Sequence, residues 1–352
     1  MANVIFKNIA IKEISSCVPP SVVDLDEQIE QFGGDIKQIQ NIKRNLGLQR
    51  RRVVDDATTA SDLMYQAAEN ILKSTDSDSI DGLICVTQTP DHFQPSNACI
   101  LHGKLNLSKN CLAYDVNLGC SGYVYGLWQA FMMIGSGTCN NVLLLSGDTL
   151  SKTVSDKDRA TAPLFGDAGT ATLISKTDDI NETYFSLHSN GKGADKIVIP
   201  AGAFRTPKSD TTAEEFEDSD GNIKSQEHLH MIGMDVFMFS ITEEPKAIKN
   251  ALKENGLTPD DIDLLFLHQA NKYIIENIAK RTKFPIEKVP YSSVKDFGNT
   301  SSASIPLAIN THQQLNDKTK VLLSGFGVGL SWASCITNLD NIKNNKTLVF
   351  GE

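Results

Sequence analysis

The sequence predicts an α/β fold built from two copies of one unit. Helix-sized segments alternate with short, continuous apolar runs such as Gly82-Leu83-Ile84-Cys85-Val86, the pattern of strands buried in a parallel sheet. Three stretches then recur in the same order. Ile80–Val86 is echoed by Ile262–His268, Gly119-Cys120-Ser121 by Gly298-Asn299-Thr300, and Val142–Gly147 by Val321–Gly325, at offsets of 182, 179 and 178 positions. Each match alone is weak, but three in order at nearly one offset mark a duplication. The halves fall at residues 1–178, carrying Cys120, and 179–352, carrying His268 and Asn299. A chain of 352 residues suits two such units.

Residues 4–15 read as a first strand, closed by Pro19-Pro20. Asp24 to Ile42 is polar and helical in pattern, with Gly33-Gly34 as a break. Lys43 to Arg52 then forms the most basic stretch of an acidic chain, either a solvated face or a landing site for an anionic partner. Ser61 to Ile71 is an amphipathic helix that Ser61 or Asp62 can cap. Val116 to Gly147 contains no charged residue and is expected to be buried. Ala201 to Glu227, rich in Asp, Glu, Ser, Thr and Gly, reads as a long surface loop rather than a lid.

Composition narrows the function classes. A net charge of −10 argues against general nucleic-acid binding. Seven cysteines are an odd number and the N-terminus has no basic-then-apolar leader, which points to a reducing cytoplasm and free thiols. No CxxC pair suggests zinc. The apolar block Tyr123–Ile134 is too short to cross a bilayer.

The chain is organised around Ala113–Gly122, where a strand hands over to a helix with Cys120 at the junction. A thiol at a helix N-terminus is expected to have a lowered pKa and to act as a nucleophile. The duplication places Cys120 and Asn299 in equivalent turns and His268 at the end of a strand, the end at which such sheets carry their sites. Thiol, imidazole and carboxamide together suit acyl transfer through a covalent thioester, with an imidazole and an amide N–H able to steady an enolate. Cys, His, Asn is also the order of papain-like proteases, but the local signature around that family's cysteine is absent. Gly325-Phe326-Gly327-Val328-Gly329 is not a dinucleotide loop, because the chain ends too soon for a βαβ unit. Phe165–Ala171 is read as a place where backbones approach closely.

Taken together, Gly119-Cys120-Ser121-Gly122, Arg159 leading to Phe165-Gly166-Asp167, Met234-Asp235-Val236-Phe237, His268-Gln269-Ala270-Asn271, Gly298-Asn299-Thr300-Ser301 and Gly325-Phe326-Gly327 resemble a β-ketoacyl-acyl-carrier-protein synthase III. The resemblance spans nearly the whole chain. It implies a thiolase-like five-layered α/β/α/β/α fold, a cytoplasmic homodimer and a reaction needing no cofactor. In that reaction acyl-CoA acylates Cys120, and malonyl-acyl carrier protein then decarboxylates beside His268 and Asn299 before a Claisen condensation. The backbone N–H groups of Cys120 and the Gly327-Val328 turn would be the oxyanion donors. Arg159 would help hold the CoA nucleotide, and Arg44 and Lys272 would belong to the basic surface that meets substrate or carrier. Four departures stand out. No tryptophan lies near residues 38–44, Lys272 replaces an arginine, Gln94 stands where a phenylalanine often lines the acyl pocket, and Val328 interrupts a glycine turn. The alternative is a related acyltransferase that passes the Cys120-bound acyl group to an oxygen or nitrogen nucleophile in a specialised pathway.

Overall fold

The computed structural model describes residues 2–32, 34, 36–179, 181–312, 315, 318–340, 342–344 and 346–352. Its main strands are β1 (Ala2–Lys7), β2 (Ile9–Val18), β3 (Gly82–Val86), β4 (Leu112–Val116), β5 (Asn141–Asp148), β6 (Ala168–Lys176), β7 (Glu182–Ser189), β8 (Leu264–Leu267), β9 (Lys320–Gly327) and β10 (Ser331–Asn338). They make two sheets, one ordered β2-β6-β5-β3-β4 and the other β1-β7-β10-β9-β8. The run β2-β6-β5-β3 has its counterpart in β7-β10-β9-β8. In both runs the first two pairings are antiparallel and the last is parallel. The chain ends cross over, since β1 pairs with β7 while Lys343–Asn344 and Leu348–Val349 pair with β2.

The helices used below are α1 (Ala60–Leu72), α2 (Asn97–Lys104), α3 (Gly122–Gly135), α4 (Gly233–Glu254), α5 (Lys272–Thr282) and α6 (Ser304–Thr311). Helices α3 and α6 touch both sheets and form the central layer. The uncharged run explains why. Tyr123, Val124, Leu127, Ala130, Phe131 and Ile134 are all buried, so α3 is apolar round most of its circumference and needs protein on both sides. Helix α1 covers the outer face of the first sheet, and α4 with α5 covers that of the second. Three large apolar cores fill the four interfaces between these five layers, the first spanning both faces of the central helices.

Local details differ from expectation in four places. The first strand is two strands, broken at Asn8 with φ of 60°. Asp24–Ile42 divides into a 3₁₀ turn, Leu25–Phe32, and a helix, Ile36–Leu46. Gly34 has φ of 78°, while Gly33 of the expected break lies outside the described residues. Helix α1 begins one residue early and is capped by Thr59, whose N–H and hydroxyl both donate to the Asp62 carboxylate at 3.0 and 3.1 Å. In the basic stretch, Arg50–Arg52 is a short strand paired with Val22–Asp24. Successive side chains of a strand face opposite ways, so Arg51 turns inward and is only 6% exposed.

Candidate active site

Cys120 stands in the turn between β4 and the N-terminus of α3, where the Gly122 N–H donates to the Gly119 carbonyl at 2.7 Å. Close packing fixes this turn. A Cβ on Gly327 would lie 2.8 Å from both Cβ and Sγ of Cys120, and one on Gly325 would lie 2.8 Å from the Cys120 carbonyl oxygen. The turn after β9 is tied to the same place, with Ser121 and Ser331 hydroxyls 2.7 Å apart and Ser331 donating to the Val328 carbonyl at 2.8 Å. Val328, in that turn, lines the same cavity as Cys120.

His268 follows β8, its N–H donating to the Ser324 carbonyl of β9 at 2.8 Å. The ring is buried, with Nδ1 2.7 Å from the Ser304 hydroxyl at the start of α6. Gln269 and Asn271 of the same motif act locally. Gln269 donates to the Leu267 and Pro290 carbonyls, and Asn271 caps α5 by accepting the Ile274 N–H at 2.9 Å.

Asn299 is held by its backbone, donating to the Leu164 carbonyl at 2.8 Å and accepting from the Gly166 N–H at 3.1 Å. A side chain on Gly166 would collide with the Phe297 carbonyl oxygen, so the approach of backbones expected from the Phe165–Ala171 stretch occurs here. The Asn299 side-chain oxygen accepts the Ser301 N–H at 2.9 Å. This spends the carbonyl end of the amide and leaves Nδ2 as the donor presented by the residue.

Cys120, His268, Asn299 and Val328 line one cavity of about 830 Å³. Its wall is otherwise mainly apolar, including Leu150, Phe165, Ile197, Met231, Phe237 and Ile274. Of the long excursion only Ala203 reaches this wall. The rest is pinned down by the Lys224 ion pairs to Asp158 and Asp218 at 3.4 and 2.8 Å and by Ser155 donating to the Ile223 carbonyl.

Burial dominates the electrostatics. It pushes the Cys120 thiol up to about 12, the Asp148 carboxylate adding to the push while the Val328 N–H, the Ser301 hydroxyl and the Cys120 N–H oppose it. The lowering expected from the helix N-terminus is therefore outweighed by desolvation, and the resting sulfur is a neutral thiol. Burial also pushes His268 down to about 3, against a weaker pull from the Ser301 backbone, so the imidazole is neutral.

The other expected contacts lie outside this wall. Arg159 adjoins wall residue Ala160 and donates to the Asp220 and Gly221 carbonyls at 3.4 and 3.2 Å. Arg44 is exposed on its helix, bonded to Asn41 at 2.9 Å, two residues before wall residue Leu46. Lys272 lies between wall residues Asn271 and Tyr273, its stem against Gly47, and faces Glu276 at 3.7 Å. Gln94 is on the surface beside Phe93, whose ring meets that of Phe204 at 5.2 Å. The basic stretch is neutralised in part. Lys43 pairs with Asp24 and Asp26 and Arg50 with Asp296, while Arg51 donates in the interior to the uncharged Gln28 amide. Among the described residues no group of three or more His, Cys, Asp or Glu could hold a metal. No helix of the described residues is long and apolar enough to cross a membrane.

Asp148 and Ser304 belong to the site but were not singled out in the sequence, whereas Ser301 entered only as the last residue of the Gly298–Ser301 motif. For Asp148 a signal existed, because it is the first charge after the long uncharged run.

Two sheets with one strand order, a central helix layer and a cysteine at a strand-to-helix turn define a thiolase-fold acyl-transfer enzyme. Comparison with known proteins makes this specific. Residues 114–193 match the family described as 3-oxoacyl-[acyl-carrier-protein (ACP)] synthase III, and residues 252–339 match its C-terminal family. The chain is 36% identical to the β-ketoacyl-[acyl-carrier-protein] synthase III of Caldanaerobacter subterraneus, over 84% of this chain and 88% of that one. It is 32% identical to the Rhodopirellula baltica protein of the same name, over 94% and 98%. The crystal structure of 3-oxoacyl-(acyl-carrier protein) synthase from Burkholderia xenovorans superposes with a TM-score of 0.92 at 37% identity, covering 99% of this chain and 98% of that one. The chain belongs to the 3-oxoacyl-acyl-carrier-protein synthase III family of condensing acyltransferases.

Proposed function

We propose that Cys120 takes an acyl group from acyl-CoA and that malonyl-acyl carrier protein is then condensed onto it with loss of CO₂. In the first half-reaction Sγ attacks the thioester carbonyl, the C–S bond to CoA breaks, and the thiol proton ends on the departing CoA sulfur. The backbone N–H groups of Cys120 and Val328 hold the tetrahedral oxyanion, which is the role of preorganised donors. In the second, the bond from the malonyl α-carbon to its carboxylate breaks and the electron pair becomes an enolate. His268 and Asn299 each give that enolate oxygen an N–H. The enolate carbon attacks the Cys120 thioester, and the released thiolate takes a proton from water.

The observation that carries this reading is the shared cavity wall of Cys120, His268, Asn299 and Val328. Transfer to an oxygen or nitrogen nucleophile is disfavoured by His268, because a buried imidazole pushed down to about 3 is a poor general base. Residues 1–178 and 179–352 are taken as the two halves that meet at this wall. The protein is taken as a cytoplasmic homodimer without a cofactor. Arg44, Arg159 and Lys272, each within two positions of a cavity-wall residue, are assigned to the CoA nucleotide or the carrier. Gln94 is exposed and stands apart from the cavity wall, so no substrate role is assigned to it within one chain. Intact-protein mass spectrometry with a panel of acyl-CoAs, followed by CO₂ release from malonyl-acyl carrier protein, tests the scheme. An acyl adduct on the wild type and none on Cys120→Ala is expected, and a wild-type thiol that gains no acyl mass refutes it.

A further inference from the structure

The Ser304 hydroxyl sits at the first residue of α6, 1% exposed and 2.7 Å from Nδ1 of His268. It has one other partner among the described residues, the Gln269 N–H at 3.4 Å. A hydroxyl offers one hydrogen and two lone pairs, and a neutral imidazole has one N–H and one bare nitrogen. The Gln269 N–H can only donate, so it takes a lone pair of Ser304. Were Nδ1 protonated, Ser304 would accept from both neighbours, and its own buried hydrogen would have no acceptor among the described residues. An unmade buried hydrogen bond is costly. With the hydroxyl donating to Nδ1, every polar atom of the pair is used and the ring proton belongs on Nε2.

We propose that Ser304 is a positioning residue that fixes His268 in the Nε2–H tautomer, so that the nitrogen not held by Ser304 is a hydrogen-bond donor for the decarboxylation half-reaction. The proposal rests on the condensing role assigned to His268 above. Acylation of Cys120 relies on the thiol and two backbone N–H groups, and so has no need of Ser304. Decarboxylation needs a ring donor, and losing one oxyanion donor costs on the order of 10²–10³ in rate. Ser304→Ala, which frees the ring rather than removing it, should cost less.

The test compares wild type, Ser304→Ala and Ser304→Thr in three measurements. They are acylation by acetyl-CoA followed by mass, CO₂ release from malonyl-acyl carrier protein, and long-range ¹⁵N–¹H NMR of histidine-labelled protein with His268 assigned through His268→Gln. The wild-type ring should show the Nε2–H pattern. Ser304→Ala should acylate within about threefold of wild type, yet release CO₂ roughly ten- to a hundredfold more slowly in kcat at similar KM. Ser304→Thr, which keeps the hydroxyl, should recover most of that loss. An Nδ1–H pattern in the wild type, undiminished CO₂ release by Ser304→Ala, an equal fall in both half-reactions, or a folded Ser304→Thr as slow as Ser304→Ala would each overturn the proposal. If the variants do not fold, the wild-type spectrum decides. A wild type that neither acylates nor decarboxylates sinks the condensing reading, whereas the tautomer is read independently of turnover.

Discussion

The Asp148 carboxylate accepts both the backbone N–H of Ser302, at 3.1 Å, and its hydroxyl, at 2.7 Å. The other oxygen of Asp148 takes the Gln88 N–H at 2.7 Å and the Thr87 hydroxyl at 3.3 Å. One fully buried acid at the end of β5 thus joins the loop after β3 to the segment between Asn299 and α6. It fixes the Cys120 side of the cavity against the Asn299 side, and its charge disfavours a Cys120 thiolate.

Asp148→Asn keeps the shape but turns one acceptor into a donor facing two donors, which should cost about 1–3 kcal/mol and appear as a lowered Tm. Removing the charge should also ease Cys120 ionisation, so iodoacetamide alkylation at pH 8 should be faster than in wild type. Equal alkylation rates across pH 7–10 would show that the carboxylate does not act on the sulfur.

Gly327→Ala should damage the site more than the fold. The new methyl would meet Cys120 Cβ and Sγ at 2.8 Å, a separation that forces the thiol or the turn to shift. Acylation by acetyl-CoA is expected to fall at least about tenfold, in keeping with the sensitivity of such reactions to ångström-scale misplacement. A variant that acylates at the wild-type rate would mean the turn has room to spare.

Glu244, in α4, is another buried acid and does not line the cavity. One oxygen takes the Ser324 hydroxyl, while Oε2 has no partner among the described residues. Burial pushes its carboxyl up from 4.5 to about 8. The folded state therefore holds the proton where the unfolded chain has released it, and stability is lost as pH rises from 4.5 through 8, at about 1.36 kcal/mol per unit of pH. Glu244→Gln removes that dependence, so its Tm should gain on the wild type steadily between pH 5.5 and 8. A Tm difference constant over that range would place the ionisation elsewhere.

The nucleophile, imidazole and carboxamide were legible in the sequence because duplication puts glycine-flanked turns in matching positions. The apolar runs gave the buried strands and α3 for the same reason that they are buried. Glu244 and Ser304 were not legible, because a polar residue reads alike whether it faces water or a partner from a distant strand, and only its place after the long uncharged run marked Asp148. Arg50, Arg51 and Arg52 show the limit most plainly. As letters they form one basic patch, and as a strand they divide between two faces.

That division changes what charge reversal should do. Arg51 donates to Gln28 at 2.8 Å in the interior, so Arg51→Glu buries an unpaired acid and should lower Tm sharply. Lys280, Arg281 and Lys283 are exposed at the end of α5. Lys280→Glu should leave the stability within about 0.5 kcal/mol of wild type and raise KM for malonyl-acyl carrier protein, with a smaller effect in high salt. An unaltered KM would remove this helix end from the carrier surface.

The histidine sets the last expectation. An imidazole pushed down to about 3 stays a neutral donor through the whole working range, and only below about pH 4 does it become a cation. For a group whose folded pKa is lowered, the neutral form is secure above the unfolded value of 6.5 and is lost only as pH falls through 3. CO₂ release from malonyl-acyl carrier protein by pre-acylated enzyme should therefore be flat on its acid side from pH 8 to pH 5. Denaturation should set in as the pH falls before any His268 limb appears, because unfolded chains bind the proton that the folded ring refuses. An acid limb near pH 6.5 that disappears in His268→Gln would mean the ring titrates in the open cavity, and the neutral-donor role would fall with it.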